Sequence, residues 1–281
     1  MHRGTFTIGD VRLSTASSGD GRTCLFLHGL CGAASQPAEV FPSDTGWRCL
    51  ILESRGHGES ECGDFADLSI RRFAMDVASF AASLDGPPPV IGGISMGAAI
   101  ALRLAATSPE MWSGLILARP AWVAGDAPDT LAAHRQIAAL LAAHLTEHDS
   151  PEHDSPEHDS NAARQRFEGT KLAKAIARES PDNLVSLLGF FDRQPLDQTQ
   201  ALLAAIGHDG PGVSKHEIAT LDMPTLIIGT SHDAVHPLAM ARELASLIPR
   251  SRLAEITSKS ENPGAYVTEF SQALRQFLKE I

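Results

Sequence analysis

The chain has 281 residues, of which 43% are hydrophobic and 20% charged, which is typical of one large globular domain and excludes a disordered or fibrous protein. Its 23 basic and 34 acidic side chains give a formal charge of −11. An acidic surface repels nucleic acid and anionic membranes, so we expect neither as a partner. No apolar run approaches the roughly 18 residues of a membrane helix. The first residues also lack the apolar region of a signal peptide, and the four cysteines show no C-x-x-C spacing, so we expect a cytoplasmic protein with free thiols.

Short β-rich runs alternate with helical periods along the chain, a pattern that predicts a mostly parallel sheet with crossover helices. Several of the runs are almost entirely apolar, as expected for strands that are covered on both faces. Helical spacing of apolar residues follows over 70–84 and 266–277. We predict eight strands, the first two of them a hairpin: Thr5–Ile8, Val11–Ala16, Cys24–Leu27, Arg48–Glu53, Val90–Ile94, Leu115–Ala118, Leu226–Gly229 and Arg252–Ile256.

The alternation stops between residues 121 and 219, a segment that we predict to be a helical cap inserted into a core of residues 1–120 and 220–281. Inside it, the unit Glu147-His148-Asp149-Ser150-Pro151 occurs three times, slightly varied at the end. This charged tract without apolar residues cannot offset the entropy lost on ordering, so 146–160 is predicted to be a mobile loop. The predicted cap helices are Leu131–Leu145, Ala162–Glu179, Asn183–Phe191 and Leu196–Ile206.

The motif Gly93-Ile94-Ser95-Met96-Gly97 lies between a predicted apolar strand and a helix-forming segment. This strand–turn–helix context is that of a G-x-S-x-G nucleophile elbow, in which a serine hydroxyl projects above a sheet. The flanking positions must be nearly free of side chains, because strand and helix approach closely at a strained turn. Ser95 is therefore the candidate nucleophile.

A tight turn, His28-Gly29-Leu30-Cys31-Gly32, follows the predicted strand Cys24–Leu27. It can expose backbone N–H groups beside the serine. The amides of Leu30 and Met96 are predicted to form an oxyanion hole, and His28 is expected to pack this turn at the edge of the substrate pocket.

Together with Ser54-Arg55-Gly56-His57-Gly58-Glu59-Ser60 after the strand Arg48–Glu53, these motifs resemble the α/β-hydrolase superfamily in order and spacing. The resemblance covers nearly the whole chain and is closest to the capped branch that includes esterases, enol-lactonases and cofactor-free haloperoxidases. It implies an eight-stranded, mostly parallel α/β sheet with helices on both faces and an inserted helical cap. It also implies a catalytic acid after the seventh strand, where Asp233 stands. Neither a P-loop nor a G-x-G-x-x-G after a strand occurs, and no metal or organic cofactor is implied.

In this superfamily the catalytic histidine follows the eighth strand, but no histidine occurs from Pro237 to Ile281. The expected slot falls near Glu261, whose ionised carboxylate only accepts hydrogen bonds and is a weaker base than imidazole at neutral pH. His236, three residues beyond Asp233, is the preferred candidate base, and His232 is the second choice. The alternative that a substitution at Glu261 inactivated the triad stays open at this point.

The preferred hypothesis is a serine hydrolase that acts on a small, mostly apolar carboxylic ester or lactone through an acyl-enzyme. The departure at Glu261 favours an alternative, a triad-deficient homologue that binds a ligand beneath the cap without catalysis. A third hypothesis is a cofactor-free lyase or perhydrolase, since a fold does not dictate the reaction. Trp122, Phe190 and Phe191 are predicted to line an apolar pocket for a small-molecule substrate. The sequence predicts neither the substrate's identity nor the oligomeric state.

Overall fold

A computed structural model describes residues 1–148 and 160–281 of the chain. The strands are β1 (His2–Ile8), β2 (Val11–Ser18), β3 (Arg22–Leu27), β4 (Trp47–Leu52), β5 (Val90–Ile94), β6 (Gly114–Ala118), β7 (Thr225–Thr230) and β8 (Ser251–Ile256). They form one eight-stranded sheet in the order β1-β2-β4-β3-β5-β6-β7-β8. The β1–β2 and β2–β4 pairs are antiparallel, and all the others are parallel. The eight predicted strands and their mostly parallel arrangement are confirmed.

Helices lie on both faces of the sheet, as predicted. The α-helices of the described residues are α1 (Ser35–Val40), α2 (Ile70–Ala82), α3 (Met96–Thr107), α4 (Ala132–His148), α5 (Asn161–Glu168), α6 (Lys171–Glu179), α7 (Pro181–Leu188), α8 (Leu196–Gly207), α9 (Lys215–Ala219), α10 (Leu238–Leu247) and α11 (Pro263–Glu280). One core layer contains Phe73 of α2, Ile100 of α3 and Leu244 of α10. The other contains Val40 of α1 and Phe270 of α11.

The central strands β5, β6 and β7 are buried along their whole length. Each fully buried Val, Leu, Ile or Phe side chain stabilises the fold by roughly 1.5–3 kcal/mol, so these strands form a rigid base. Their carboxyl ends lie at one edge of the sheet, because the strands are parallel. Loops that follow them are therefore brought together at that edge.

Helices α4 to α9 occupy the chain between β6 and β7, where the sequence predicts helices without strands. They are called the inserted helices below. The predicted single helix Ala162–Glu179 is two helices, because the chain turns at Gly169 and Thr170 is the N-cap of α6. The Thr170 hydroxyl oxygen accepts a hydrogen bond from the Ala173 amide at 3.1 Å, which caps the new helix. The short α9 is not predicted; a capping box between Ser214 and Glu217 begins it.

The structure describes only the two ends of the predicted mobile loop at 146–160. Helix α4 continues to His148, so residues 146–148 are helical and that boundary of the prediction is wrong. Residues 149–159 lie outside the described part of the chain. The division into a core and a cap at 121–219 stays a prediction. Within 1–148 and 160–281, no helix combines the length and apolar character that a membrane span requires.

Candidate active site

Ser95 lies in a strained turn between β5 and α3, with φ of 56° and ψ of −113°. The turn is held by a hydrogen bond that the Ser95 amide donates to the Ala118 carbonyl at 3.0 Å. A Cβ atom on Gly97 would lie 2.6 Å from the Leu27 carbonyl oxygen, and one on Gly93 would lie 2.4 Å from the Gly97 backbone. Only glycine fits at either position, which is the physical reason for the motif.

His236 is the group that contacts the Ser95 hydroxyl. Its Nε2 lies 2.9 Å from Ser95 Oγ, and its Nδ1 lies 2.9 Å from Asp233 Oδ1. Asp233 and His236 both belong to the loop between β7 and α10. The hydrogen-bond network assigns the proton to Nδ1, which donates to the carboxylate and leaves Nε2 free to accept the serine proton.

Arg119 completes the surroundings of the acid and was not found by the sequence analysis. It follows β6 directly, and its Nη2 and Nε lie 2.6 and 2.8 Å from Asp233 Oδ2. Burial by itself would raise the pKa of Asp233, but the charges and hydrogen bonds of His236 and Arg119 hold that pKa well below its usual range. Asp233 is therefore ionised at every pH near neutrality. One signal in the sequence could have identified Arg119: it is a cationic residue directly after an apolar strand, at the edge of the sheet where the functional loops meet.

His236 is itself buried. Burial lowers the pKa of its imidazole, the Asp233 carboxylate opposes that effect, and the Arg119 charge adds to it. The net result lies below the ordinary value of 6.5. The ring is therefore neutral at physiological pH, the state in which it can accept a proton.

The loop that carries His236 is fixed by helix α7, which belongs to the segment between β6 and β7. The Val235 amide donates to Asn183 Oδ1 at 3.0 Å, and the Ala234 amide donates to Ser180 Oγ at 2.9 Å. Asn183 and Ser180 are both buried. These two contacts, from α7 and from Ser180 directly before it, therefore help to fix the backbone next to the imidazole, which no sequence pattern indicated.

The turn after β3 lies beside Ser95. The Gly29 amide donates to Gln36 Oε1 at 2.7 Å, which orients the turn. Among the described residues, neither the Leu30 amide nor the Met96 amide donates a hydrogen bond to a protein acceptor. Leu30 lines the same cavity as Ser95, and Met96 begins α3. The two main-chain donors proposed from the sequence are thus unengaged next to the serine.

A cavity of about 260 Å³ opens in front of Ser95, between the carboxyl edge of the sheet and helices α4 and α7. Ser95 and His236 form part of its wall. Leu187, Phe190 and Val235 supply apolar surface, while the polar surface comes from side chains of both the core and the inserted helices.

Of the three aromatic residues predicted to line the pocket, only Phe190 is in this cavity's wall. Trp122 is packed in the sheet–helix core, where its indole Nε1 donates to the Asp209 carbonyl at 2.9 Å. Phe191 packs on Phe167 within the inserted helices, with the ring centroids 6.1 Å apart. For Trp122 and Phe191 the pocket prediction is wrong, because an aromatic side chain in an amphipathic segment fills a core as readily as it lines a pocket.

His28 packs the turn, as expected, but it does not line the cavity, so its prediction as a pocket residue is wrong. It is fully buried. Its Nδ1 lies 2.8 Å from the Gly29 carbonyl oxygen, and its Nε2 accepts from the Ser54 amide at 3.0 Å. Burial lowers its pKa, so the neutral ring ties the β3 and β4 loops together.

Glu261 lies away from the serine. Its Oε2 accepts hydrogen bonds from the amide and hydroxyl of Ser258, at 3.2 and 2.9 Å, and from the Ser231 hydroxyl at 3.4 Å. These hydrogen bonds lower the pKa of Glu261. Its Oε1 is 3.8 Å from Nε2 of the exposed His232. Among the described contacts, neither Glu261 nor His232 reaches Ser95, so the structure brings the serine to His236 instead.

The chain belongs to the alpha/beta hydrolase fold family, whose model matches residues 23–259. A curated relative from Mycobacterium tuberculosis, named "Putative non-heme bromoperoxidase BpoC", is 25% identical over 253 residues, which cover 88% of this chain and 89% of the relative.

Solved structures share the fold over almost the whole chain. The enol-lactonase from Burkholderia xenovorans LB400 matches with a TM-score of 0.71 and 19% identity, covering 98% of this chain and 99% of that one. Est816, described as an N-acyl homoserine lactone degrading enzyme, matches with a TM-score of 0.68 and 22% identity, covering 98% and 100%. At these identities the likeness establishes the fold alone.

Proposed function

We propose that the chain is a serine hydrolase of small carboxylic esters or lactones, with Ser95 as nucleophile, His236 as base and Asp233 as acid. The observation that carries the proposal is the 2.9 Å contact between His236 Nε2 and Ser95 Oγ. The hydrogen bond from His236 Nδ1 to Asp233 supports it by fixing the tautomer that a base requires.

In the first half of the reaction, His236 Nε2 takes the proton of Ser95 as the serine oxygen attacks the substrate carbonyl. The carbonyl π bond opens, and its electron pair becomes an oxyanion. The amides of Leu30 and Met96, both without a protein acceptor, are the proposed donors to that oxygen. The oxyanion then re-forms the carbonyl, the ester C–O bond breaks, and the imidazolium gives its proton to the departing alcohol.

In the second half, a water molecule attacks the acyl-enzyme while His236 takes one of its protons. The new tetrahedral intermediate collapses, the bond to Ser95 Oγ breaks, and the imidazolium returns the proton to the serine. The acid product leaves, and the starting state is restored. For a lactone, the alcohol and acid are the two ends of one product.

The size of the cavity supports a small substrate. At about 260 Å³ it is slightly below the roughly 300–1,000 Å³ of ordinary ligand pockets. Its apolar wall includes Phe190 and Leu187, which suits a short acyl chain. The lactone-degrading activities stated for two proteins of the same fold are in keeping with this class of substrate.

The similarity to BpoC, which is named as a peroxidase, favours one second candidate, a perhydrolase that uses hydrogen peroxide. In that reaction hydrogen peroxide takes the place of water and releases the acyl group from Ser95 as a peracid, so both reactions share the acyl-enzyme. A non-catalytic ligand-binding role has less support, because the 2.9 Å contact of His236 Nε2 with Ser95 Oγ supplies a candidate for the base that the end of the chain lacks.

A fluorophosphonate probe followed by mass spectrometry tests the proposal. Wild-type protein is expected to be labelled at Ser95 between pH 6 and 9. Labelling should be abolished in Ser95→Ala and greatly slowed in His236→Ala. Folded wild-type protein that is never labelled at Ser95 would overturn the hydrolase. If Ser95 is labelled, untreated protein is then given an acetate ester and hydrogen peroxide. Formation of acetate or of peracetate separates hydrolysis from perhydrolysis.

A further inference from the structure

His134 of helix α4 lies in the wall of the cavity that contains Ser95 and His236. Its side chain is almost completely buried, with a residue exposure of 6%. Its ring packs against Phe190, with a centroid distance of 5.6 Å. No described residue makes a hydrogen bond to its Nδ1. His134 thus presents an unpaired polar ring to a space that is built around the serine.

This state is costly for a histidine that has only a structural role. A buried polar atom without a partner destabilises a fold by roughly 1–3 kcal/mol, and buried imidazoles normally use both nitrogens. Two other histidines of this edge do so: His28 bonds Gly29 and Ser54, and His236 bonds Asp233 and Ser95. The buried His57 bonds the Arg55 carbonyl through Nδ1 and leaves only Nε2 without a described partner. His134 Nδ1 is enclosed, whereas Nε2 is not enclosed and has no hydrogen bond among the described contacts, so a ligand in the cavity can supply a partner to Nε2.

The ring is neutral under working conditions. Burial, aided by the nearby His236 and Arg135, lowers the pKa of His134 to about 3. A neutral imidazole has one N–H donor and one acceptor nitrogen, whereas the cation only donates. His134 can therefore recognise a hydroxyl or a carbonyl group, and it has no proton to give as an acid near neutral pH.

The rest of the wall favours a neutral polar ligand. Gln36, Asn183 and Ser186 add hydrogen-bonding groups around the cavity. Arg119 is the one formally charged side chain among the described lining residues, and its charge is balanced by Asp233 at 2.6 Å. A carboxylate or ammonium substituent would find no unpaired counter-charge among these residues.

We propose that His134 is a specificity-determining residue that binds a neutral hydroxyl or keto substituent on the acyl part of the ester or lactone. This inference rests on the proposed function. It makes the substrate class more definite: a small hydroxy- or oxo-acyl ester, in place of a purely apolar one.

Matched nitrophenyl esters test the proposal: butyrate, 2-hydroxybutyrate, 3-hydroxybutyrate and 3-oxobutyrate. We expect at least one substituted ester to exceed butyrate in kcat/KM by about tenfold in wild type. His134→Leu should lower kcat/KM for that ester about ten- to a hundredfold and change butyrate by less than about threefold. His134→Asn, which keeps a donor and an acceptor, should restore part of the preference. Gln136→Leu, on the same helix but outside the cavity wall, serves as the control.

A second measurement separates failure of this inference from failure of the proposed function. Ligand-observed NMR titration of Ser95→Ala with ethyl esters of the same acids needs no catalysis. Tighter binding of a substituted ester that is lost in Ser95→Ala/His134→Leu supports the role of His134 even if fluorophosphonate labelling fails. Equal losses for butyrate and every substituted ester, in kcat/KM or in binding, overturn it and leave His134 a packing residue. No preference in wild-type kcat/KM and in Ser95→Ala binding overturns it as well.

Discussion

Asp233 and His236 lie on one loop, and a single carboxylate oxygen joins them twice. Asp233 Oδ1 accepts from the His236 amide at 3.0 Å and from the His236 ring at 2.9 Å. The acid therefore fixes both the backbone and the ring of the base. Only two loops, this one and the turn at Ser95, need to be aligned for all three side chains to meet.

This arrangement predicts that His236, and not Glu261, is essential. His236→Ala should lower kcat for a nitrophenyl ester by several orders of magnitude, since loss of a triad histidine in a comparable enzyme costs on the order of 10⁶. Glu261→Gln should stay within about threefold of wild type, because the Glu261 carboxylate bonds Ser258 and Ser231 instead. Steady-state kinetics on both variants decides the matter. A large loss in Glu261→Gln, or a large gain in Glu261→His, would contradict it.

The pH profile of kcat/KM should report the buried imidazole. His236 has to be neutral to accept the serine proton, so activity falls as pH falls through its pKa. Because burial lowers that pKa below 6.5, the midpoint of the acidic limb is expected below pH 6.5. A rate profile between pH 4.5 and 8 on an ester that is stable over this range measures it. A midpoint of the acidic limb at or above pH 7 would contradict the prediction.

Replacing Arg119 should move that acidic limb to higher pH. The guanidinium charge lowers the pKa of His236, so Arg119→Met removes a cation that disfavours the imidazolium. Arg119→Lys keeps the charge and should shift the midpoint less. A purely structural role would reduce kcat/KM at all pH values alike. An unmoved midpoint in Arg119→Met would therefore rule out the electrostatic role.

Asn183 should position the base through the backbone. Asn183→Ala leaves the buried Val235 amide without its acceptor, a loss of roughly 1–3 kcal/mol next to His236. We expect kcat to fall by about tenfold, with a smaller change in KM. Val185→Ala removes a side chain from the same helix α7 that is 71% exposed, and should leave kinetics and melting temperature almost unchanged. Equal effects of the two substitutions would refute this role for Asn183.

The close contact at the elbow predicts opposite effects for two Gly→Ala substitutions. Gly97→Ala places a Cβ 2.6 Å from a backbone oxygen and should destabilise the fold by roughly 1–3 kcal/mol, as other overpacked sites do. Gly189→Ala meets no atom within 4 Å in a helical conformation, so it should be neutral or gain roughly 0.4–1 kcal/mol. Urea denaturation of both variants gives the two free energies of unfolding. Similar values would show that the elbow tolerates a side chain.

Much of the fold could be predicted from local patterns. Strands such as β5 are continuous apolar runs because both of their faces are covered, and that requirement is written directly in their composition. Gly93 and Gly97 marked the elbow for an equally local reason, since no other residue fits there. One exception was the break at Gly169, where helical spacing on either side concealed a turn.

Contacts between distant segments could not be predicted in this way. The residues Arg119, His134 and Asn183 come from a strand end and two inserted helices, and they meet His236 and its loop only after the chain has folded. Trp122 and Phe191 show the same limit, because an apolar face does not state which other surface it will cover.

The sequence by itself determined the eight strands, the strained serine turn and the candidacy of His236, because each depends on residues that are neighbours along the chain. The tertiary structure alone decided that the His236 ring faces Ser95, that Arg119 pairs with Asp233 and that the His134 ring lies in the cavity wall. Those relations depend on which loops the parallel sheet brings to one edge, and on how the inserted helices pack over it. Hydrogen bonds across such distances form only when the whole core fixes their geometry.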